Sequence, residues 1–343
     1  MYRSKVESTK VEPGARTYMD DLTRFKPPRY LQNPHLQTVL NSQGPRRLRA
    51  GHILKNLVSE SLTLQAEDGT RLLAELDHAV TSRSALVILL HGWEGSSRSS
   101  YLVTTAAHLL AKGFDVLRVN LRDHGGSHHL NQELFNSTRS PEVASALQNF
   151  LNVHAYAHIF LAGFSLGASF ALRIAADVGV ELGLKAAIGV CPPTDPARAM
   201  DALNQGFFAY ERYFFKRWHE SLQRKLQCFP QLDYATELAA AKSLDDLNRT
   251  FIPRYTIYDE VDDYYAAYAL VDARLSALAM PAYLIAAEDD PIIPVDDLKR
   301  IDPIENLNIE VCRHGGHCGF IENLAARSWV EARMLQILEQ YLD

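Results

Sequence analysis

A serine flanked by glycines two residues away on each side is the feature with the clearest chemical meaning in this sequence. The G-x-S-x-G pattern at residues 163–167 follows the apolar run 158–162 and opens a stretch with helical spacing, 166–177. In a strand, sharp turn and helix of this kind, the serine hydroxyl is exposed at the end of the strand. Ser165 is therefore our candidate nucleophile. The alternative is a glycine-rich turn in which Ser165 only caps a helix.

A serine hydroxyl needs a base within hydrogen-bond reach and an acid that orients that base. This sharp turn between a strand and a helix is called an elbow. When the serine lies on such an elbow, the acid and then the base follow it along the chain. The acidic turn 288–294 comes directly after an apolar run. Asp290 is our candidate acid, because it precedes Pro294 by four residues in the D-x-x-x-P spacing of such turns. Glu288 and Asp289 are equally well explained as solvated acids.

The loop 314–320, which holds two histidines and three glycines, supplies the candidate base. We choose His317 over His314, because it follows the first two glycines and can reach back over the sheet. A zinc site is the rival interpretation, with Cys312, His314, His317 and Cys318 as ligands. These four residues are crowded together without the paired spacing of zinc sites. We therefore predict neither a metal nor a cofactor.

Two backbone N–H groups should bind the negative oxygen that forms during attack on a carbonyl. Leu166, which directly follows the serine, should provide one of them. Trp93 should provide the other, because Gly92 lets the backbone turn after the apolar run 85–90. His91 is interpreted as a structural histidine of this loop. The turn 122–127 is expected to pack beside the elbow without a direct chemical role.

The elements that must position these residues alternate between strands and helices. A chain of βα units predicts a mostly parallel sheet with helices on both faces and ligands at the carboxyl ends of its strands. The predicted strands are 57–65 and 70–76, which form a hairpin, and 85–90, 114–119, 158–162, 186–190, 282–286 and 307–312. The predicted helices are 101–112, 141–153, 166–177, one from about 295, and 323–341.

The alternation stops after the strand 186–190 and resumes with the strand 282–286, and this predicts the domain organisation. Residues 195–278 are interpreted as a helical cap inserted into an α/β core formed by 57–194 and 279–343. Residues 1–56 are interpreted as an extended N-terminal arm that packs on the core. The cap is rich in aromatic residues, about half of which we expect to form its own core: Phe207, Phe208, Tyr210, Tyr213, Phe214, Phe215, Trp218, Tyr264, Tyr265 and Tyr268.

Composition limits the classes of partner. The 343 residues carry a net charge of −6, which excludes the strongly basic face of a nucleic-acid-binding protein. Four cysteines without a framework pattern, together with the lack of a signal peptide or membrane span, predict a cytoplasmic protein. A basic group, Arg46, Arg47 and Arg49, is interpreted as a solvated face, with weak contact to a membrane surface as the alternative.

Five motifs, taken together, resemble a known family. They are Asn-Pro-His-Leu-Gln-Thr at 33–38, His-Gly-Trp-Glu-Gly-Ser at 91–96, the histidine loop at 314–320, and Asp-Asp-Leu and Asp-Tyr-Tyr at 245–247 and 263–265. The chain resembles the α/β-hydrolases and, more closely, their YheT-like family, the fourth AB-hydrolase family. That family includes bacterial proteins described as esterases, eukaryotic phospholipases and yeast medium-chain ester synthase/hydrolases.

The resemblance implies an α/β-hydrolase fold, with nucleophile, acid and base at Ser165, Asp290 and His317. It also implies cleavage of short- to medium-chain acyl esters, including acylglycerols or phospholipids, through an acyl-enzyme. The sequence departs from many relatives after Leu166, where it has Gly-Ala-Ser in place of Gly-Gly-Asn, and at 123–124, where bacterial relatives often have Gly-Cys. An alcohol acyltransferase and a non-catalytic binding protein of the same fold are the alternatives.

Overall fold

A twisted sheet of nine strands organises the computed structural model, which describes residues 18–19 and 25–342. The strands lie in the order β1-β9-β8-β7-β6-β4-β5-β3-β2, and among these described strands β3 alone runs opposite to the rest, antiparallel to both β2 and β5. The predicted mostly parallel sheet is therefore confirmed. The strands are β1 Tyr18–Met19, β2 Ser59–Gln65, β3 Arg71–Asp77, β4 Ala85–Leu90, β5 Asp115–Val119, β6 His158–Phe164, β7 Leu184–Val190, β8 Ala282–Ala287 and β9 Leu307–Cys312.

Helices cover both faces of this sheet. The side chains of β4 alternate between two hydrophobic clusters, which explains why its sequence is apolar throughout. One cluster includes helices α4 and α5, and the other includes α3 and α11. The helices are α1 Pro34–Ser42, α2 Pro45–Asn56, α3 Ser100–Leu110, α4 Ser140–Val153, α5 Leu166–Val178, α6 Pro196–Gln205, α7 Phe208–Cys228, α8 Ala235–Ala240, α9 Leu244–Tyr255, α10 Val261–Tyr268 and α11 Trp329–Leu338.

Two predicted helices near the C-terminus differ from the structure. Residues Val295–Arg300 form a 3₁₀ helix instead of an α-helix. The last α-helix begins at Trp329 instead of at about 323, because the preceding residues close a turn in which Ile321 forms a β-bridge with Ser328. The N–H of Glu322 also donates to the carbonyl of Arg327. The backbone groups that a longer helix would use are therefore already paired.

The N-terminal segment is helical between residues 34 and 56, so the prediction of an extended arm is wrong there. The side-chain oxygen of Asn33 accepts a hydrogen bond of 3.0 Å from the N–H of Leu36 and caps α1. Pro34 and Pro45 occupy the first positions of α1 and α2. Proline is favoured at this position, since its fixed φ suits a helix and its missing N–H would have no partner. The prolines that suggested extended chain therefore begin helices.

The basic group of α2 does not form one solvated face, because Arg46 is buried. Only 1% of its side chain is exposed, and its guanidinium donates to Glu331 of α11 at 2.7 Å. The same guanidinium donates to Asn41 at 2.7 Å and to Thr104 at 3.1 Å. Arg47, its neighbour, is exposed. Arg46 thus links the first helices of the protein to the last.

Five helices, α6 to α10, lie between β7 and β8 in the position predicted for the cap. The ammonium group of Lys225 on α7 donates to the carboxylate of Asp123 at 2.7 Å and to the carbonyl of Asn131. Ser221 on the same helix is hydrogen-bonded to His128 at 2.8 Å. The turn 122–127 therefore anchors the cap to the core. None of the helices in the described part of the chain has the length and apolar character needed to cross a membrane.

Replacing Arg46 with alanine is expected to lower the free energy of unfolding by about 3–5 kcal/mol, because it leaves the buried Glu331 carboxylate with only a longer contact of 3.9 Å to Arg49. The double variant Arg46→Met with Glu331→Leu should recover most of this loss, because it removes both charges. Urea unfolding would measure the differences. Arg47→Ala is the matched control and should change stability by less than about 0.5 kcal/mol. An equal effect of Arg46→Ala and Arg47→Ala would contradict the stabilising role of the buried pair.

Candidate active site

Ser165 lies on a strained turn between β6 and α5. Its backbone has φ 53° and ψ −123°, a region that residues with a side chain rarely adopt. A Cβ at Gly163 would lie 2.1 Å from the carbonyl oxygen of Gly167, and one at Gly167 would lie 2.4 Å from that of His91. Both glycines of the motif are therefore required sterically. The turn directs the Ser165 side chain away from the sheet, at the carboxyl end of β6.

The structure brings the three predicted residues into one hydrogen-bonded chain. The hydroxyl of Ser165 lies 2.8 Å from Nε2 of His317, and Nδ1 of His317 lies 2.8 Å from Oδ2 of Asp290. The other oxygen of Asp290 accepts hydrogen bonds from the N–H groups of Ile292 and Ile293. These bonds hold the carboxylate in place. When the imidazole is neutral and its Nδ1 proton is donated to Asp290, His317 presents Nε2 as an acceptor to the serine.

The competing acid and histidine form a second pair in the adjacent turns. His314 Nδ1 lies 3.2 Å from a carboxylate oxygen of Asp289, whose other oxygen accepts the N–H of Gly316 at 2.9 Å. This pair does not include Ser165. The Asp289 carboxylate instead ties its turn to the histidine loop. The two Asp–His pairs are therefore alike in chemistry and different in position.

Burial, the Asp290 carboxylate and the Cys318 sulfur together set the pKa of His317. Burial opposes a positive charge on the imidazole, but the charges and hydrogen bonds of Asp290 and Cys318 act together against it and raise the pKa of His317 well above its ordinary value. This stabilises an imidazolium on the histidine. Such an ion forms when a histidine accepts the proton of an attacking serine.

Helix α1 supports the histidine loop through hydrogen bonds. The sequence did not predict this role. The hydroxyl of Thr38 accepts the N–H of His317 at 2.9 Å. The side chain of Gln37 accepts the N–H of Ile321 at 2.6 Å and donates to the carbonyls of Leu31 and Ile321. A Cβ at Gly319 would lie 2.4 Å from the Gln37 carbonyl oxygen. The motif at 33–38 contains both Gln37 and Thr38. Its sequence alone does not indicate that these residues bind the histidine loop.

The two predicted oxyanion donors border one cavity together with Ser165. Within the described chain, the N–H groups of Trp93 and Leu166 donate no hydrogen bond, so both remain available to a ligand. His91 and His124 serve the loop around Trp93 as neutral acceptors. Nε2 of His91 accepts the N–H of Leu121, and Nε2 of His124 accepts that of Glu94. Burial lowers the pKa of His91 to about 4.

The predicted alternative of a zinc site does not match the arrangement of ligands. Among the described residues, the possible ligand atoms that lie together, within 4.8 Å of one another, belong to Cys191, His317 and Cys318. Cys312 packs in the core beneath the sheet, and His314 is paired with Asp289. Both nitrogens of His317 already have partners, Ser165 and Asp290. A metal at this cluster would therefore have to displace one of these hydrogen bonds.

Two cavities meet at Ser165, beneath the cap. The inner cavity has a volume of about 100 Å³ and is lined by Leu166, Met200, Leu203, Trp218, Ile252 and Tyr264, among others. The outer cleft has a volume of about 650 Å³ and is bordered by His317, Tyr101 and residues of α1, α2 and α7. Trp93 and Phe214 border both. Of the cap aromatics named in the sequence analysis, all but Phe208 and Phe215 line one of the two cavities, more than the half we expected.

Comparison with known proteins gives relatives of the same fold. The chain is 26% identical to an abhydrolase domain-containing protein of Dictyostelium discoideum, across 97% of this chain and 85% of that protein. It is 24% identical to medium-chain fatty acid ethyl ester synthase/esterase 2 of Saccharomyces cerevisiae, across 75% of this chain and 62% of that protein.

Solved structures agree with this result. An esterase of Pyrococcus furiosus superposes with a TM-score of 0.57 at 15% identity, over 94% of this chain and 99% of that one. A 2,6-dihydroxy-pseudo-oxynicotine hydrolase superposes with a TM-score of 0.55 at 19% identity, over 87% of this chain and 73% of that one. The family model described as alpha/beta hydrolase fold matches residues 85–324. The chain therefore belongs to the alpha/beta hydrolase fold family.

Proposed function

We propose that this protein is a serine hydrolase that cleaves carboxylic esters of short- to medium-chain acids. The observation that carries the proposal is the chain of two 2.8 Å contacts from Ser165 through His317 to Asp290. Family membership and the esterase and lipase names of relatives support a hydrolase in general. The free N–H groups of Trp93 and Leu166 supply the remaining requirement for attack on a carbonyl.

In the proposed mechanism, the Ser165 oxygen attacks the ester carbonyl while its proton passes to Nε2 of His317. Asp290 accepts the Nδ1–H of His317 and stabilises the imidazolium. The N–H groups of Trp93 and Leu166 bind the oxyanion of the tetrahedral intermediate. His317 then gives the proton to the departing alcohol, which leaves an acyl group on Ser165. A water molecule that gives a proton to His317 then attacks the acyl carbon. The bond between the acyl group and Ser165 breaks, His317 returns the proton to the serine oxygen, and the acid is released.

The two cavities correspond to the two parts of the ester. The departing alcohol must receive its proton from His317, and among the described lining residues His317 borders the outer cleft and not the inner cavity. Leu166, an oxyanion donor, borders the inner cavity and not the outer cleft. We therefore assign the alcohol to the outer cleft and the acyl chain to the inner cavity.

We also propose that the chain belongs to the YheT-like family, as its motifs suggest. The names of two yeast relatives support this and the substrate class, since one is a medium-chain fatty acid ethyl ester synthase/esterase and the other a monoacylglycerol lipase. Both names refer to esters of fatty acids. The apolar lining of the inner cavity suits an acid of the same kind.

Transfer of the acyl group to an alcohol is the second candidate function. The outer cleft opens beside His317 and has room for an alcohol in the place of the hydrolytic water. The word synthase in the name of the yeast relative favours the same reaction. Product analysis in the presence of ethanol separates the two functions. Ethyl ester in excess of free acid would favour the transferase.

Ser165→Ala is expected to abolish both ester cleavage and labelling by a fluorophosphonate probe, because it removes the nucleophile. Asp290→Asn and His317→Ala should each lower kcat by about three orders of magnitude or more. Asp289→Asn and His314→Ala are the matched controls from the second Asp–His pair and should lower kcat far less. Labelling at a different serine would contradict the assignment. A folded protein that is never labelled would favour a binding protein.

The rate of fluorophosphonate labelling should rise with pH through the pKa of His317, because only the neutral imidazole accepts the serine proton. Since Asp290 and Cys318 together raise this pKa against the effect of burial, the midpoint should lie above the ordinary histidine value of about 6.5. Asp290→Asn should lower the midpoint as well as the rate, whereas Asp289→Asn should leave the midpoint in place. Rate constants measured from about pH 5 to about pH 10 test this. A midpoint unchanged by Asp290→Asn would contradict the proposed pair.

Selectivity for the acyl chain should follow the size of the inner cavity. A dry cavity of about 150 Å³ holds benzene, so about 100 Å³ suits a chain of a few carbons. Each buried methylene contributes about 0.8 kcal/mol, or nearly fourfold in binding. Values of kcat/KM for p-nitrophenyl esters from acetate to palmitate should therefore increase to a maximum between butyrate and octanoate and then fall.

The variant Met200→Ala should move this maximum to longer chains, because Met200 lines the inner cavity. Asp201→Ala is the control, since Asp201 is an exposed residue of the same helix. A profile that declines steadily from acetate in the native protein would contradict the assignment of the acyl chain to the inner cavity.

A further inference from the structure

Three elements that border the outer cleft each contribute an arginine to it. Arg47 belongs to α2, Arg98 to the loop before α3, and Arg217 to the cap helix α7. Among the described residues that line the cleft, Glu94 is the only acidic one. This concentration of positive charge contrasts with the net charge of −6 for the whole chain.

The three guanidinium groups are poorly neutralised by the protein. Arg47 donates to the uncharged amide oxygen of Gln43. Arg217 donates to the backbone carbonyl of Glu94 at 2.8 Å, and its Nε is buried without a hydrogen-bond partner. Arg98 lies 3.4 Å from the carboxylate of Glu75, but 69% of its side chain is exposed. A pair that is so exposed is weak.

The carboxyl group of Glu94 does not offset this charge. Its side chain is buried, and burial raises its pKa to about 8 even though Arg217 and Arg224 act in the opposite direction. Burial therefore favours the protonated, uncharged form of Glu94. The lining of the outer cleft, which also includes His317 and Ser165, consequently has an excess of positive charge.

We propose that the alcohol part of the natural ester carries an anionic group, a phosphate or a carboxylate, which Arg47, Arg98 and Arg217 bind in the outer cleft. The planar guanidinium presents paired N–H donors that match the oxygens of both groups. This proposal rests on the proposed function, since it identifies the outer cleft as the alcohol side. It adds that the substrate has an apolar acid at one end and a negative charge at the other.

Three butyryl esters with the same acid test this proposal: 1-butyrylglycerol, 1-butyrylglycerol 3-phosphate and the butyryl ester of lactate. The first is neutral, the second carries a phosphate and the third a carboxylate. We expect kcat/KM for at least one of the anionic esters to exceed that of the neutral ester by about tenfold or more. The better of the two anionic esters identifies the group that the cleft prefers. Equal or lower values for both anionic esters would overturn the proposal.

Variants connect this preference with the arginines. Arg47→Gln and Arg98→Gln should each lower the ratio of anionic to neutral kcat/KM by about fivefold, mainly through KM. Arg47→Lys should retain more of the ratio than Arg47→Gln, because it keeps the charge. Arg212→Gln is the matched control, since Arg212 is an exposed residue of α7 outside the lining of the cleft. A ratio that neither glutamine variant changes would show that the arginines are only solvated.

Calorimetric binding of glycerol 3-phosphate and of lactate to the Ser165→Ala protein distinguishes this proposal from the proposed function. Binding that weakens in the Arg47→Gln background supports the anionic site even if no ester is cleaved. Turnover of the neutral ester without preference or anion binding leaves the hydrolase in place and overturns the anionic site. Absence of binding by both anions at millimolar concentration also overturns it.

Discussion

The close approach of backbone to backbone around Gly167 is the constraint on which the rest of the site depends. Because β4 and β6 are neighbours in the sheet, the carbonyls of Leu90 and His91 lie against this glycine. The contact leaves no room for a Cβ and holds Ser165 in its strained conformation. It also brings the loop after β4 to the serine, so that Trp93 and Leu166 border the same cavity. The same backbone contact at Gly167 therefore positions both the nucleophile and the oxyanion donors.

Hydrogen bonds between distant parts of the chain hold the loop that carries His317. Thr38 and Gln37 bind backbone groups of the histidine loop that lie 279 and 284 residues away in sequence. The cap has its own attachment, the buried Lys225–Asp123 pair. The protein therefore assembles its candidate site from a rigid sheet edge, an N-terminal helix and an inserted cap.

Local signals in the sequence predicted the sheet, the elbow and the three residues that the structure brings together. Ser165, Asp290 and His317 each follow a strand, and glycine or proline spacing marks their turns. Contacts between residues far apart in sequence could not be predicted in this way. The burial of Arg46 depends on Glu331, and the contact between Cys191 and Cys318 depends on how two loops pack. The prolines at 34 and 45 did carry a signal, since they begin helices, but they were interpreted as marks of extended chain.

The burial of Arg46 affects how the protein is made. Its carboxylate partner, Glu331, is 285 residues further along the chain. A ribosome therefore synthesises Arg46 long before the partner of its guanidinium. Until then α2 cannot bury Arg46 without leaving its charge unpaired, which is strongly unfavourable. The N-terminal helices, and the histidine loop that α1 supports, are consequently expected to reach their final packing only after α11 has been synthesised.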